Sequence, residues 1–304
     1  MSDAVSWSVR RRLYEHVLAS GGFALVARDD GADIGYAVAG AEPAHWPATF
    51  VTAAENAELH TLAVRAGRRG RGVGSALMDA ADARLDEQGH RDRTIGVLPA
   101  NVRASALYER RGYVATWLTL TRFGRRRETP AASIRVPIDT VARNEIDTLA
   151  PLWHSLHRHP QAVAPGLGPF VAHDASWDVV RPLLAATAAD GLLLRAGPGD
   201  QPTAMASVSI ARDDPLWADT WITGRDVAEI KLLVVDESAR GSGLGSALLD
   251  ALDDRLATAG AHDQAIGTIA PNTAAIRLYE RRGFRPTWLQ MTLVEGRERA
   301  STAR

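Results

Sequence analysis

The stretch RRGRGVGSAL at residues 68–77 returns as ARGSGLGSAL at residues 239–248. Each copy follows an apolar run, ELHTLAVR from Glu58 and EIKLLVVD from Glu229, and each opens a pattern typical of a helix. Glycine lets the backbone turn tightly and approach a ligand, so its N–H groups can point directly at that ligand. A helix N-terminus adds unpaired donors and about half a positive charge. The pattern therefore predicts an anion site for a phosphate or pyrophosphate.

Composition excludes several classes of protein. The 304 residues are 46% hydrophobic and 23% charged, as in ordinary soluble proteins, and a net charge of −1 argues against a broad nucleic-acid surface. No apolar run is long enough to span a membrane, and the N-terminus lacks the apolar core of a secretory signal, so we expect a cytoplasmic protein. The absence of cysteine excludes disulfides, cysteine–zinc sites and a cysteine acyl-enzyme.

The repeat extends well beyond the glycine-rich stretch. With a shift of 171 residues, positions 57–90 lie on positions 228–261, and about half of them are identical. The same shift places LYERRGY from Leu107 on LYERRGF from Leu278. A period this long predicts a duplicated domain rather than a solenoid of short repeats.

Apolar periodicity predicts the order of elements in the first repeat. A helix at 6–19 precedes strands from Phe23 and Ile34, and a third strand at 58–65 leads into the glycine turn. After the next helix come a short strand, a helix capped by an asparagine, and a last strand at 113–123 that is expected to close the domain.

The basic segment RFGRRRE at 122–128 is interpreted as a solvated linker rather than a membrane or nucleic-acid patch, because it is short and the charge elsewhere balances it. It divides the chain into domains at 1–128 and 129–304. The second domain has a strand from Ala131 and a helix at 145–159 before SWDVVRPLL matches SWSVRRRLY of the first. The first domain therefore lacks a strand and a helix, either because it is shorter or because its start lies upstream.

Three kinds of nucleotide site could explain the glycine turn. The phosphate loop of NTPases needs Gly-Lys-Ser/Thr, which neither copy has. A dinucleotide site places its loop after the first strand of βαβ units, whereas these loops follow strands in the middle of each domain. Coenzyme A is the third interpretation.

These motifs resemble those of the GNAT superfamily of N-acetyltransferases, in a tandem two-domain form. The acetyl-CoA signature of that superfamily, Gln/Arg-x-x-Gly-x-Gly/Ala, is met from Arg69 and again from Arg240. A second feature, Asn before a helix that carries Leu-Tyr-Glu and ends in Gly-Phe/Tyr, is met from Asn101 and again from Asn272. The resemblance implies an α/β (α+β) fold of two tandem domains. Each is a mixed, mostly antiparallel twisted sheet, flanked by helices and splayed in the middle.

The resemblance also implies where acetyl-CoA binds as a cosubstrate, without a metal. The pantetheine arm enters between the splayed strands and pairs with the strand before the loop, while the loop amides hold the pyrophosphate. A backbone N–H near Leu62 or Leu233 faces the thioester carbonyl and stabilises the oxyanion. The implied cofactor-binding residues are Leu62, Ala63, Val64, Arg69, Gly70, Arg71, Gly72, Val73, Gly74, Ser75 and Asn101 in the first repeat, and Leu233, Val234, Val235, Arg240, Gly241, Ser242, Gly243, Leu244, Gly245, Ser246 and Asn272 in the second.

Transfer to an amine needs a base, because an amine with a pKa of about 10 is mostly protonated at neutral pH. Glu58 and Glu229 stand at the spacing of the general-base glutamate in the histone-acetyltransferase branch, so the resemblance gives them this role, directly or through water. It gives Tyr108 and Tyr279 the role of protonating the leaving sulfur.

The same residues also have structural interpretations. Glutamate at a strand start is commonly solvated, the two asparagines can be helix caps, and tyrosine on a helix commonly packs in a core. His154, His157 and His159 have no acidic or cysteine partner in their segment, which favours a solvated or pocket-lining role over a metal site.

We predict direct acetylation of a small-molecule primary amine, catalysed in the second domain, because the first lacks elements that wall the acceptor pocket in this family. One alternative is mycothiol synthase-type acetylation of a cysteinyl amine, whose enzymes share the tandem architecture but not the shortened first repeat. Another is a non-catalytic module that binds acyl-CoA. We expect no nucleic-acid or membrane partner, and either a monomer with an internal pseudo-dimer or a homodimer.

Overall fold

The computed structural model describes residues 3–42, 56–124, 136–164, 167, 173–190, 192–211 and 226–294. The first repeat forms α1 (Asp3–Ala19), β1 (Phe23–Asp29), β2 (Ala32–Glu42), β3 (Asn56–Val64), α2 (Val73–Glu87), β4 (Arg93–Val97), α3 (Val102–Arg110) and β5 (Val114–Arg122). The second forms β6 (Ile138–Thr140), α4 (Ala150–Val163), α5 (His173–Ala189), β7 (Leu193–Ala196), β8 (Ala204–Ala211), β9 (Val227–Val235), α6 (Leu244–Thr258), β10 (Asp263–Ile269), α7 (Thr273–Arg281) and β11 (Arg285–Leu293). The predicted α/β class is confirmed. Among the described helices, none is both long and apolar enough to cross a membrane.

The first compact unit joins most of the first repeat, up to Thr116, to the chain from Trp288 onward. Its strands follow the order β1-β2-β3-β4-β11. Neighbouring strands pair antiparallel, except β3 and β4, which run parallel.

The second compact unit contains the chain from Trp117 to Thr287. Its strands follow the order β5-β10-β9-β8-β7-β6. Here too the neighbours are antiparallel except for one pair, β9 and β10. In both units the parallel pair lies in the middle of the sheet and is joined by a crossover helix, α2 or α6.

The two repeats exchange their last strands. We expected β5 to close the first domain, but Trp117–Arg122 pairs with β10 in the second unit, where Ile269 lies opposite Trp117. In return β11 pairs with β4 in the first unit, where Leu289 lies opposite Val97. Each compact unit is therefore completed by a strand that the other repeat encodes.

The crossover helices bury one apolar stripe each, as the helical spacing in the sequence predicts. Five leucines and one alanine lie at equivalent positions and are all at most 4% exposed: Leu77, Ala81 and Leu85 on α2, and Leu248, Leu252 and Leu256 on α6. Each fully buried leucine stabilises the fold by about 2 kcal/mol relative to an exposed one. This packing fixes each helix under its sheet and so fixes the loop at its N-terminus.

The second unit carries the additional elements that the sequence predicts. The predicted strand from Ala131 lies largely outside the described residues, and β6 begins at Ile138. The predicted helix at 145–159 is found as a 3₁₀ segment, Arg143–Leu149, that continues into α4. Side chains of α4 and α5, among them Trp153 and Leu184, form one buried cluster with residues of β7, β8 and β9. The two helices therefore wall one face of this sheet.

Candidate functional site

In each unit the two parallel strands separate part-way along their length. Strand β9 pairs with β10 from Val227 to Ile230 and then continues to Val235 without a β10 partner among the described residues. In the first unit the pairing of β3 with β4 stops in the same way at Leu59, while β3 continues to Val64. The separation leaves backbone groups on the inner side of β3 and β9 able to pair with an extended ligand.

A β-bulge lies where each pair opens. Ser207 pairs with Leu232 and Val208 with Ile230, so Lys231 is the extra residue of β9. The register between β2 and β3 shifts equivalently and makes His60 the extra residue of β3. Such bulges bend a strand and re-aim its side chains, and they are common beside active sites.

The glycine loops have the conformation that their sequence predicts. Gly70, Gly72, Gly241 and Gly243 all have φ between 76° and 94°, the left-handed region that other residues rarely adopt. The last glycine of each pair is the N-cap of α2 or α6. The loop therefore directs the free N–H groups of the first helical turn away from the helix, as an anion site requires.

The two signature arginines stabilise the loop from within. Arg69 Nε donates to Val64 O at 3.0 Å, and Arg240 Nε donates to Val235 O at 3.3 Å. Each guanidinium thus ties the loop to the end of the preceding strand. Arg240 Nη1 also donates to His159 Nδ1 at 3.2 Å, which brings the end of α4 to the glycine loop. Burial and the nearby Arg240 lower the pKa of His159, which favours the neutral ring that accepts this bond.

The predicted asparagines and tyrosines stand beside the opening. Asn101 and Asn272 cap α3 and α7, where each side chain accepts a backbone N–H at 3.2–3.3 Å. Tyr108 and Tyr279 are each 5% exposed. Burial raises the pKa of Tyr108 to about 12 and also raises the pKa of Tyr279, so both phenols are protonated at neutral pH.

The second unit contains a cavity of about 840 Å³ that connects these parts. The glycine loop lines one end, together with Asn272 and Tyr279. Residues 230–235 of β9, which include its opened part, line the cavity as well, and so do residues of α4 and α5, among them His157 and Leu184. One cavity therefore contacts the glycine loop, the strand opening and the two helices.

The first unit contains a smaller cavity of about 480 Å³. It is lined by the opened part of β3, by Asn101 and Tyr108, and by Trp7, Arg10 and Tyr14 of α1. Its described wall includes no residue of the glycine loop. The two units therefore share the strand opening but differ in how it connects to the loop.

The two glutamates lie next to these cavities rather than in their walls. Glu229 forms an ion pair with Lys231, which does line the cavity, and the Glu229 side chain is 25% exposed, so water can reach it. Glu58 is 19% exposed, and its carboxylate lies 3.9 Å from Nδ1 of His60, a wall residue of the first cavity.

One pair of cavity residues is not among those that the sequence predicts. The indole of Trp117 lies over Gly267, where a β-carbon would be 2.4 Å from Cζ2, and the indole of Trp288 lies over Gly96 in the same way. Both indoles line the cavity of their unit, and both are carried by the exchanged strands. The available signal was a glycine inside a strand pattern, which marks a close approach.

The family to which the chain is similar matches each of the two repeats. The chain matches the family model described as Acetyltransferase (GNAT) family over residues 3–113 and 153–284. No curated protein matches it.

Several solved structures resemble the chain at low identity. A GCN5-related glucosamine N-acetyltransferase region of a fungal multi-domain GH3 β-N-acetylglucosaminidase aligns with 16% identity and a TM-score of 0.54, over 88% of this chain and 32% of that chain. The present chain thus spans about a third of the fungal protein. A GCN5-related N-acetyltransferase from Sphaerobacter thermophilus aligns with 15% identity and a TM-score of 0.54, over 89% of this chain and 80% of that chain. A tandem GNAT protein from the clavulanic acid biosynthesis pathway aligns with 16% identity and a TM-score of 0.44, over 90% of this chain and 83% of that chain. At these identities the first two likenesses establish the fold alone.

Proposed function

Because the chain belongs to the GNAT acetyltransferase family, we propose that it moves an acetyl group from acetyl-CoA directly to a primary amine of a small molecule, in the second unit. The observation that carries this proposal is the continuous cavity of about 840 Å³ from the glycine loop, through the strand opening, to the pocket under α4 and α5. A donor and an acceptor can meet in such a space without a covalent enzyme intermediate.

The cofactor end of the cavity suits an extended thioester with a diphosphate. The N–H groups at the start of α6, from Leu244 to Ser246, supply donors and the helix dipole for the diphosphate. The backbone of Leu233–Val235 is open to pair with the pantetheine amides. Arg240 holds the loop in shape, and Asn272 fixes the start of α7 beside it.

Proton transfers can be assigned to residues near the opening. Glu229 takes the proton of the amine through a water molecule, since its carboxylate lies beside the cavity and is partly exposed. The amine nitrogen then forms a bond to the thioester carbon, and an N–H near Leu233 stabilises the oxyanion that develops. The nitrogen loses its second proton to water as the carbon–sulfur bond breaks, and Tyr279, whose raised pKa keeps its phenol protonated, donates a proton to the leaving thiolate. Tyr279 recovers its proton from solvent.

The second unit is proposed as the catalyst because only its described cavity reaches from the loop to a helical wall on the acceptor side. Glu58 and Tyr108 take the same positions in the first unit, but no counterpart of α4 stands among its described elements. We therefore propose that the first unit binds the cofactor or supports the second.

Release of free CoA thiol from acetyl-CoA in the presence of an amine panel tests this function. Glu229→Gln and Tyr279→Phe are expected to lower kcat by about 100-fold or more, in the range typical of a lost acid or base. Thermal stabilisation by acetyl-CoA should persist in both variants, which separates catalysis from binding.

Glu58→Gln and Tyr108→Phe are the matched variants in the first repeat. Loss of turnover in these two variants, with normal turnover in the second-repeat pair, would contradict the assignment to the second unit. Stabilisation by acetyl-CoA without thiol release across a broad amine panel would instead indicate a binding module.

A further inference from the structure

The acceptor side of the first unit is polar. Tyr14 OH lies 2.9 Å from Thr61 Oγ1 and 3.3 Å from Tyr36 OH, so three hydroxyl groups from α1, β2 and β3 meet beside the strand opening. All three residues line the cavity, together with the guanidinium-bearing side chain of Arg10. This wall offers hydrogen bonds and positive charge to a ligand in the first cavity.

The equivalent positions of the second unit are apolar. The match of SWSVRRRLY with SWDVVRPLL puts Leu184 at the place of Tyr14. The repeat shift puts Leu232 at the place of Thr61, and the register with β9 puts Met205 at the place of Tyr36. Leu184 and Met205 are at most 1% exposed and belong to one buried cluster, against which Leu232 packs. The hydroxyl cluster of the first unit is thus matched by a hydrocarbon cluster in the second.

The charged position of the wall changes in the same direction. The same helix match places Val180 where the first unit has Arg10, and both residues line their cavities. One turn along α5, Leu183 lines the cavity and is 63% exposed. A large apolar side chain exposed at the edge of a cavity is available to cover an apolar ligand.

The charged residues that line the second cavity disfavour the binding of a polycation. No Asp or Glu occurs among its described lining residues, whose charged members are Lys231, Arg240 and Arg281. An acceptor with several ammonium groups would lose their hydration without gaining a carboxylate partner in this part of the wall. A single amine, which loses its charge before it reacts, avoids this cost.

We propose that the acceptor of the second unit is a monoamine carried on an apolar body, aromatic or branched aliphatic, that packs between Trp117 and Leu183. This inference rests on the proposed function and names its substrate class. In the reaction the ammonium group first loses a proton to the base, and the amine nitrogen then bonds to the acetyl carbon. The carbon–sulfur bond breaks, the nitrogen loses its second proton to water, and CoA departs as the thiol with a proton from Tyr279.

The exchanged strand supplies the specificity residue. The Trp117 indole lies over Gly267, just beyond Ile266, the last residue of β10 that pairs with β9. Its place at the strand opening lets it contact the group that bears the amine. The specificity of the second site is thus set partly by a side chain from the first repeat.

Steady-state thiol release by the full chain tests the substrate class. The probes are 2-phenylethylamine and tryptamine as apolar monoamines, and spermidine and kanamycin as polycations. We expect kcat/KM to be at least tenfold higher for the apolar monoamines. Higher kcat/KM for a polycation would overturn the inference while leaving acetyl transfer in place. Cofactor binding without acetylation of any amine would refute the proposed function, and this inference with it.

Variants then locate the selectivity. Trp117→Ala is expected to lower kcat/KM for 2-phenylethylamine by about tenfold to a hundredfold, mainly through KM, whereas Trp117→Phe retains most of it. An equal or larger loss in Trp288→Ala, at the matching position of the other repeat, would overturn the assignment.

Leu183 is exposed, so its replacement is not expected to prevent folding. Leu183→Asp should lower kcat/KM for the apolar amines by about tenfold and raise it for spermidine, because it places a carboxylate at the cavity edge. Leu18→Asp changes another exposed leucine, one outside both described cavity walls, and serves as the control. Equal kinetics in Leu183→Asp and Leu18→Asp would contradict the proposal.

Discussion

Arg122 anchors the exchanged strand of the first repeat in the second unit. Its guanidinium forms an ion pair with Asp253 of α6, and the two side chains are 5% and 6% exposed. Arg122 Nη1 also donates to Arg282 O at 3.0 Å, and the guanidinium lies 4.8 Å from the centre of the Phe284 ring. Gln264 Nε2 donates to the same Asp253 carboxylate at 2.8 Å.

Replacement of Arg122 should therefore be costly. In Arg122→Leu a buried carboxylate loses its guanidinium partner, a change that typically costs about 3–5 kcal/mol of unfolding free energy. Leucine is a suitable replacement because Leu293 occupies the matching position of the second repeat. Removal of both charges in Arg122→Leu/Asp253→Leu should recover most of the loss, since an apolar pair carries no desolvation penalty.

Urea unfolding, followed by circular dichroism, measures these changes as shifts of the transition midpoint. The control is Arg181→Leu, which removes an ion pair with Asp147 whose side chains are 52% and 64% exposed. Its cost should stay below about 1 kcal/mol. A loss of similar size in Arg122→Leu, or a double variant as unstable as the single one, would refute the reasoning.

Three further predictions follow from single contacts. Gly96→Ala places a β-carbon 1.8 Å from Trp288 Cζ2 and should cost about 1–3 kcal/mol in urea unfolding, whereas Gly74→Ala, with no neighbour nearer than 3.8 Å, should cost less. Asn272→Ala removes the cap of α7 and should lower stability by about 1 kcal/mol, while Asn272→Asp, which keeps the acceptor, should not. Burial raises the pKa of Tyr108 to about 12, from about 10 in an unfolded chain. Its contribution to stability is therefore complete below about pH 10 and is lost as the pH rises towards 12, so Tyr108→Phe should flatten the fall in stability over that range. If stability falls with pH as steeply in this variant as in the unaltered chain, the reasoning from the buried Tyr108 phenol is wrong.

Local chemistry made much of the fold predictable from the sequence. The spacing of Leu77, Ala81 and Leu85 predicts a helix with one buried face, and the structure buries all three. The conformation of Gly241 is predictable because a tight turn before a helix needs positive φ. The role of Asn272 as a cap follows from its place before a helical pattern. In each case the decisive interaction lies within a few residues along the chain.

The strand exchange was not predictable in this way. Strands β5 and β11 carry the same Thr-Trp-Leu motif from Thr116 and Thr287, so neither local propensity nor alternation distinguishes their two partners. Long-range pairing decides the outcome, and the contact of Arg122 with Asp253 does not explain it alone, because Asp82 occupies the matching position of α2. The bulge that makes Lys231 an extra residue of β9 is likewise not marked by the sequence pattern.

The exchange changes how the duplicated sites can diverge. A wall residue of each cavity, Trp117 or Trp288, is encoded by one repeat and acts in the unit that the other repeat builds. A substitution in the last strand of one repeat therefore alters the pocket of the other, whereas the glycine loop and its arginine act within their own unit. The anion site can thus be kept in both copies while the acceptor walls change, and the replacement of Tyr14 by Leu184 at equivalent positions is a change of this kind. Under the proposed function, this arrangement would let the two units share a donor while their acceptor pockets differ.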